Sequence, residues 1–154
     1  MSDNSSIVLS RQGHRLVQLG VALFLFVTLQ GLMIQNFAVP NLGRAAHTLS
    51  LSTGLVLVAL GIVWPRLTLG VTATRVAFWF LVYSLLATIV AFLLAAMWGA
   101  GNSVLPLAGG AAHGTALQEN IIAAVLVSTL PTGIIAFALI LWGLRGMPAF
   151  SGRI

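Results

Sequence analysis

Four long apolar runs constrain the fold of this chain more than any other feature of its sequence. They cover residues 16–35, 44–64, 75–98 and 119–144. About 20 apolar residues in an α-helix cross the hydrocarbon core of a bilayer, so each run is long enough to span it. A soluble fold of 154 residues could not bury this much apolar surface, since 59% of the residues are hydrophobic and 6% are charged. The sequence therefore predicts an all-α membrane protein, a single domain over residues 1–154 built as a four-transmembrane-helix bundle.

The basic residues predict how this bundle is oriented. All seven are arginines, scattered singly along the chain, which argues against a nucleic-acid surface despite a net charge of +5. An even number of spans puts both termini on one side of the membrane. Arg44 then lies alone on the other side. The side that holds both termini also holds Arg11, Arg15, Arg66, Arg75, Arg145 and Arg153. The positive-inside rule predicts cytoplasmic termini, and we expect a multi-pass protein of the bacterial inner membrane.

Few side chains are available for chemistry. The acidic residues are Asp3 and Glu119, and the absence of cysteine excludes disulfides and thiolate metal sites. No ionisable residue lies deep in a span, which argues against a proton-coupled transporter. No phosphate-binding loop, zinc-protease motif or nucleophile elbow is present. Glu119 begins the fourth span, where a helix N-terminus favours an anion, so a capping role is slightly favoured over a catalytic one.

His47 is the most informative of the three histidines. It lies about one turn inside the second span, where an unpartnered imidazole is costly. Imidazole is a common haem ligand, although on the residues alone a bond to a backbone carbonyl or lipid headgroup is favoured. His14 is a full span away, about 30 Å, and cannot share an iron with His47. His113, in the connection before the fourth span, is expected to be an exposed loop histidine. Arg44 could pair with a haem propionate or simply mark the membrane boundary.

Small residues of the second span predict a close helix contact. Ser50, Gly54 and Gly61 share roughly one helix face. Small side chains let membrane helices approach closely. We expect this face to pack against another helix of the same chain, with contact to another subunit as the alternative.

Several segments of the chain resemble a known family. They are RQGHRLVQLGVALFLF, NLGRAAHTLSLSTGLVLVALGIVWPRLTL, AAMWGAGNSVLPLAGG, GTALQE and LILWGLRG, which together span Arg11 to Gly146. These segments resemble the hydroxylaminobenzene mutase family. More distantly, the chain is similar to the membrane-bound styrene oxide isomerases, which are small four-span proteins that use haem b with one axial histidine as a Lewis acid and assemble as trimers.

This resemblance implies an activity and a site. The activity is the rearrangement of an aryl hydroxylamine to a 2-aminophenol within an apolar bundle that keeps water from the reacting centre. If this chain binds haem b as the styrene oxide isomerases do, the resemblance implies that His47 is the axial ligand and that Arg44 is the candidate partner of a propionate. A bundle this small has little room for haem, so a homo-oligomer, with a trimer favoured, would hold the cofactor between subunits.

Two positions depart from the epoxide isomerases. Thr53 stands where those proteins have asparagine, six residues after the ligand histidine, and Phe92 stands where they have tyrosine. These departures argue against epoxide isomerisation. Thr53, Tyr83 and Phe92 are the candidates to line the substrate pocket. Three alternatives stay open: an epoxide isomerase, a non-catalytic subunit that binds haem or quinone for electron transfer, and a small transporter or structural membrane protein.

Overall fold

The structure, a computed structural model, has helices as its only regular secondary structure over the residues it describes. These are residues 3–109 and 113–146, with side chains from 6 to 107 and from 113 to 146. Four long helices make up most of the chain: α1 (Asp3–Met33), α2 (Pro40–Val63), α3 (Val71–Trp98) and α5 (Ala116–Leu144). Three single turns accompany them: the 3-10 turns Ile34–Asn36 and Trp64–Arg66, and the short helix α4 (Pro106–Gly109). The long helices are each apolar and long enough to cross a membrane, which confirms the predicted all-α fold with four spans.

Local sequence signals explain most of the helix ends. Pro40 opens α2, where its fixed φ suits a first helical residue. Gly99 ends α3 with φ of 63°, a left-handed conformation that glycine adopts without strain. Thr115 and Gln118 form a capping box at the start of α5, in which each side chain accepts a hydrogen bond from the backbone N–H of the other.

Helix α1 begins earlier than the apolar run predicts. The sequence suggests a span from residue 16, whereas the helix starts at Asp3. The additional turns pack on the end of α2, where Leu9 is fully buried and Gln12 Oε1 accepts a hydrogen bond of 3.1 Å from the Trp64 indole. This segment is helical because of tertiary contacts that an apolar pattern does not reveal.

The long helices form two antiparallel pairs. Helix α1 packs along α2, α3 packs along α5, and the two pairs meet between α2 and α3. Among the described residues, α1 and α5 make little contact with each other. The bundle is therefore open along the side between its first and last spans.

Glycines bring α1 and α2 into backbone contact. A Cβ atom on Gly13 would lie 2.7 Å from the carbonyl oxygen of Gly61, and one on Gly20 would lie 2.7 Å from that of Gly54. Such distances leave no room for a side chain. The predicted contact face of the second span is confirmed for Gly54 and Gly61, and it packs within the chain. Ser50 is also buried, and its hydroxyl bonds to the carbonyl oxygen of Ala46.

The two ends of the bundle differ in charge. At one end, here called the arginine end, the backbone N–H of Thr68 donates to the carbonyl of Gly143 at 3.1 Å. The described arginines at this end are Arg11, Arg15, Arg66, Arg75 and Arg145, while Arg153 lies outside the described residues. At the other end, here called the His47 end, Val39 N–H donates to the carbonyl of Ala96 at 3.1 Å. Arg44 is at the His47 end, as four antiparallel spans require.

Candidate active site

His47 lies against a glycine of the neighbouring helix. It precedes Gly54 by seven residues, the same interval that separates Gly54 from Gly61, so it continues the face of α2 that contacts α1. A Cβ atom on Gly31 of α1 would lie 3.4 Å from His47 Cε1 and 3.9 Å from Nδ1. The imidazole therefore approaches the backbone of α1 at a position that carries no side chain.

Neither ring nitrogen of His47 has a hydrogen-bond partner among the described residues. Nδ1 is buried and unpartnered, while Nε2 is not buried and so reaches the surface of the α1–α2 pair. The bond to a backbone carbonyl that the residues alone favour is not formed. A free imidazole nitrogen on an apolar surface can bind a metal or a polar group of a ligand.

Gln30 places a second unpartnered polar atom at the His47 end. Its side chain is 3% exposed, and its Oε1 accepts no hydrogen bond, although Nε2 lies 3.5 Å from the carbonyl oxygen of Gly43. Buried polar groups are rarely left unpaired in native proteins, so two such atoms at the His47 end indicate a candidate functional region. Sequence reasoning missed Gln30 and Gly31. The only signal for Gln30 was that it is one of the few polar residues in the first apolar run.

Arg44 is exposed about one turn before His47 on α2. Its Nη1 lies 3.5 Å from Asn41 Oδ1, and it makes no other hydrogen bond to the described residues. Three residues separate Arg44 from His47, so the two side chains project only about 60° apart around the helix. The guanidinium is free to bind an anionic group of a molecule held at His47.

The three candidate pocket residues lie on α2 and α3 in different surroundings. Thr53 is 2% exposed and projects about 120° around α2 from His47, with no hydrogen bond from its hydroxyl to a described residue. Tyr83 is half-exposed on α3, and its hydroxyl lies 2.7 Å from Ser128 Oγ of α5. Phe92 packs in a cluster with Leu42 at the His47 end. Their pocket roles stay predictions.

Glu119 organises the connection between α3 and α5. Its carboxylate accepts hydrogen bonds from the backbone N–H groups of Gly101 at 2.9 Å, Ser103 at 3.2 Å and Gly114 at 3.3 Å, and from the Ser103 hydroxyl at 3.0 Å. Asn102 N–H is a longer donor at 3.4 Å. Glu119 therefore binds the loop before its helix, where the sequence suggested a cap of the helix itself.

The other two histidines lie apart from His47. His113 is exposed, with Nδ1 3.2 Å from Asn102 Nδ2, and it lines a cavity of about 370 Å³ with Glu119. His14 is at the arginine end, 17 residues before Gly31, a rise of about 25 Å along α1. Within the described parts of the chain, no three histidine or acidic side chains are grouped to hold a metal ion.

Comparison with known proteins shows the family to which this chain belongs. The family model for styrene oxide isomerase matches residues 12–145. Hydroxylaminobenzene mutase HabB of Ectopseudomonas oleovorans is 45% identical over 136 residues, which cover 88% of this chain and 83% of HabB. Hydroxylaminobenzene mutase HabA of the same organism is 33% identical over 125 residues, covering 81% of this chain and 93% of HabA. No solved structure is significantly similar. With its family match over most of its length and two mutases as relatives, the chain belongs to the styrene oxide isomerase family, a family of isomerases.

Proposed function

We propose that this protein rearranges aryl hydroxylamines such as hydroxylaminobenzene to 2-aminophenols within the membrane. The identity of 45% with HabB across 88% of the chain carries this proposal. In the reaction the N–O bond breaks, a C–O bond forms at the ortho carbon, that carbon loses a proton and the nitrogen gains one. Substrate and product are isomers, so the reaction needs no second substrate and no electron donor.

We propose further that His47 binds haem b. The imidazole fits this role because Nε2 is free at the surface and the ring is positioned against Gly31, with Nδ1 unpartnered beneath it. Arg44, exposed about one turn away on a neighbouring face of α2, would bind a propionate. Haem held by His47 would supply a Lewis-acidic iron.

The apolar surface around His47 would hold the aromatic ring of the substrate. Leu32 follows Gly31 on α1, and Leu51 and Leu55 come about one and two turns after His47 on α2; all three are exposed in the single chain. Aliphatic side chains at this position exclude water, which would otherwise attack the para carbon of the activated substrate. Their contribution is to direct the oxygen to the ortho position.

A homotrimer would complete this site. The cavities of about 450, 530 and 370 Å³ lined by described residues lie elsewhere, and Nε2 of His47 opens onto the surface of the α1–α2 pair. A second copy of the chain against this surface would enclose the substrate. We place the assembly in the bacterial inner membrane with the arginine end, and thus both termini, in the cytoplasm.

A single set of variants tests the reaction and the cofactor separately. Purified wild type and His47→Ala are assayed for conversion of hydroxylaminobenzene to 2-aminophenol, and their visible spectra are recorded. His14→Ala and His113→Ala serve as matched controls. We expect conversion and haem absorbance in the wild type and both controls, and neither in His47→Ala. An inert wild type would refute the reaction, active protein without haem would refute the cofactor, and haem loss in His113→Ala would refute the ligand assignment.

The family match also supports a second candidate, isomerisation of an aryl epoxide. Thr53 and Phe92 stand where the epoxide isomerases have polar amide and phenol groups, so we expect styrene oxide to react much more slowly than hydroxylaminobenzene. Faster turnover of the epoxide in the same assay would favour this alternative. A low-spin spectrum with both axial positions filled would instead favour an electron-transfer subunit.

A further inference from the structure

Two adjoining cavities lie at the arginine end, away from His47. The first, about 450 Å³, lies between α1 and α3 and is lined by the apolar side chains of Leu19, Ala22, Trp79 and Val82. The second, about 530 Å³, is lined by Arg11 and His14 of α1. Arg15 and Gln18 line both cavities, so the apolar space and the basic space adjoin at these two residues.

The positive charge of this region is not neutralised by the described residues. Arg11 and Arg15 are four residues apart on one face of α1, and neither makes a hydrogen bond or ion pair with a described side chain. Glu119, the acidic side chain that the structure describes, lies at the opposite end of the bundle. Within the described part of the chain, two guanidinium groups therefore have no counter-ion beside an apolar groove.

We propose that these cavities bind an anionic phospholipid. Its phosphate would lie between Arg11 and Arg15, because guanidinium forms strong charge-assisted hydrogen bonds with phosphate. One acyl chain would follow the apolar groove past Trp79, which is exposed there. A second copy of this chain fits less well, since the sequence contains only two acidic residues. The proposal concerns the arginine end alone and does not depend on the reaction.

Trp79 provides a local reporter for the test. Wild type and Trp79→Phe are reconstituted in phosphatidylcholine vesicles containing brominated phosphatidylglycerol or brominated phosphatidylcholine, and the difference in quenched fluorescence isolates Trp79. We expect several-fold preferential quenching by phosphatidylglycerol. Arg15→Gln should reduce this preference about five-fold, the effect of one basic residue at an anionic membrane surface. Arg75→Gln is the matched control, because Arg75 is exposed at the same end but lines neither cavity.

Three results would overturn the proposal. Equal quenching by the two lipids would show no selectivity for the anionic headgroup. An equal loss in Arg15→Gln and Arg75→Gln would indicate general surface charge without a built site. Absence of a Trp79-specific signal would show that something other than lipid covers the groove. Unfolding midpoints of all variants, measured in the same vesicles, confirm that each comparison is made on folded protein.

Discussion

The position of the His47 ring depends on what stands opposite it on α1. Gly31 lets the imidazole approach the backbone of α1, with 3.4 Å between Cε1 and the place where a Cβ atom would begin. That distance is an ordinary contact for one methyl group and leaves little space for a larger one. Gly31 thus acts as a positioning residue for the proposed haem ligand.

Two substitutions of Gly31 test how large a side chain the His47 ring tolerates at this position of α1. Gly31→Ala should bind haem at wild-type stoichiometry, because its methyl group reaches only ordinary contact. Gly31→Val should bind less haem and shift the absorbance maximum, because valine is nearly restricted to one rotamer in a helix and cannot turn both methyl groups away. Haem per chain and helical circular dichroism are measured together. If the valine variant has wild-type haem content and spectrum, the ring does not depend on Gly31.

We expect Glu119 to stabilise the loop between α3 and α5 and to have little effect on the reaction. In Glu119→Gln the side chain keeps one acceptor oxygen and turns an N–H₂ group toward backbone donors that the carboxylate now satisfies. We expect the amide hydrogens of Gly101 and Ser103 to exchange several-fold faster in this variant. Asn120→Ala, which changes an exposed neighbour, is the control. Unchanged exchange in Glu119→Gln would mean that the loop does not depend on the carboxylate.

Sequence reasoning identified isolated residues better than their partners. His47 stood out because a histidine inside an apolar run is costly, and that cost is local. Gly31 and the donation of Gly101 and Ser103 to Glu119 could not be foreseen, because each of these contacts joins positions 16 or more residues apart. The hydrogen bond between Gln12 and Trp64 in the early part of α1 likewise joins residues far apart in the sequence. Four spans followed from length and apolarity alone.

At the scale of elements, the two helix pairs are held together differently. Helices α1 and α2 meet through glycines and backbone atoms. Helices α3 and α5 meet partly through hydroxyl groups, including the contact of 2.7 Å between Tyr83 and Ser128 and the approach of Ser84 to Gly133. Close packing and interhelical hydrogen bonds are the two interactions that stabilise helix pairs in lipid.

Gly20→Ala should weaken the α1–α2 pair. The new methyl group would lie 2.6 Å from Val58 Cγ2 and 2.7 Å from the Gly54 carbonyl oxygen, so the helices must separate. Overpacking of this kind costs about 1–3 kcal/mol. Gly70→Ala is the control, since nothing lies within 4 Å of its added methyl group. The measurement is the free energy of unfolding of both variants in mixed micelles. Equal values would contradict the prediction that α1 and α2 are in close contact at Gly20.

A double-mutant cycle on Tyr83 and Ser128 distinguishes structure from catalysis. If their hydrogen bond stabilises the α3–α5 pair, Tyr83→Phe and Ser128→Ala should each cost about 0.5–1.5 kcal/mol, and the double variant should cost little more than either. Turnover should then fall equally or not at all. A fall in turnover confined to Tyr83→Phe would instead support the predicted place of Tyr83 in the substrate pocket.

At the scale of the whole molecule, cysteine labelling tests the proposed orientation. The chain contains no cysteine, so each introduced thiol is unique. Leu107→Cys places one at a fully exposed position of α4 at the His47 end, and Gly70→Cys places one in the loop at the arginine end. We expect a membrane-impermeant maleimide to label Leu107→Cys in intact spheroplasts and Gly70→Cys only after lysis. The reverse pattern would place the termini outside the cytoplasm.

The glycine contacts between α1 and α2 also bear on how the protein is made. A ribosome delivers these two helices to the membrane before α3 and α5 have been synthesised, and N-terminal units generally fold first. Contacts between Gly13 and Gly61 and between Gly20 and Gly54 need only the first two spans. His47 can therefore take its place against Gly31 while half of the polypeptide is still untranslated, and a nascent hairpin would already present the imidazole to a cofactor arriving during biogenesis.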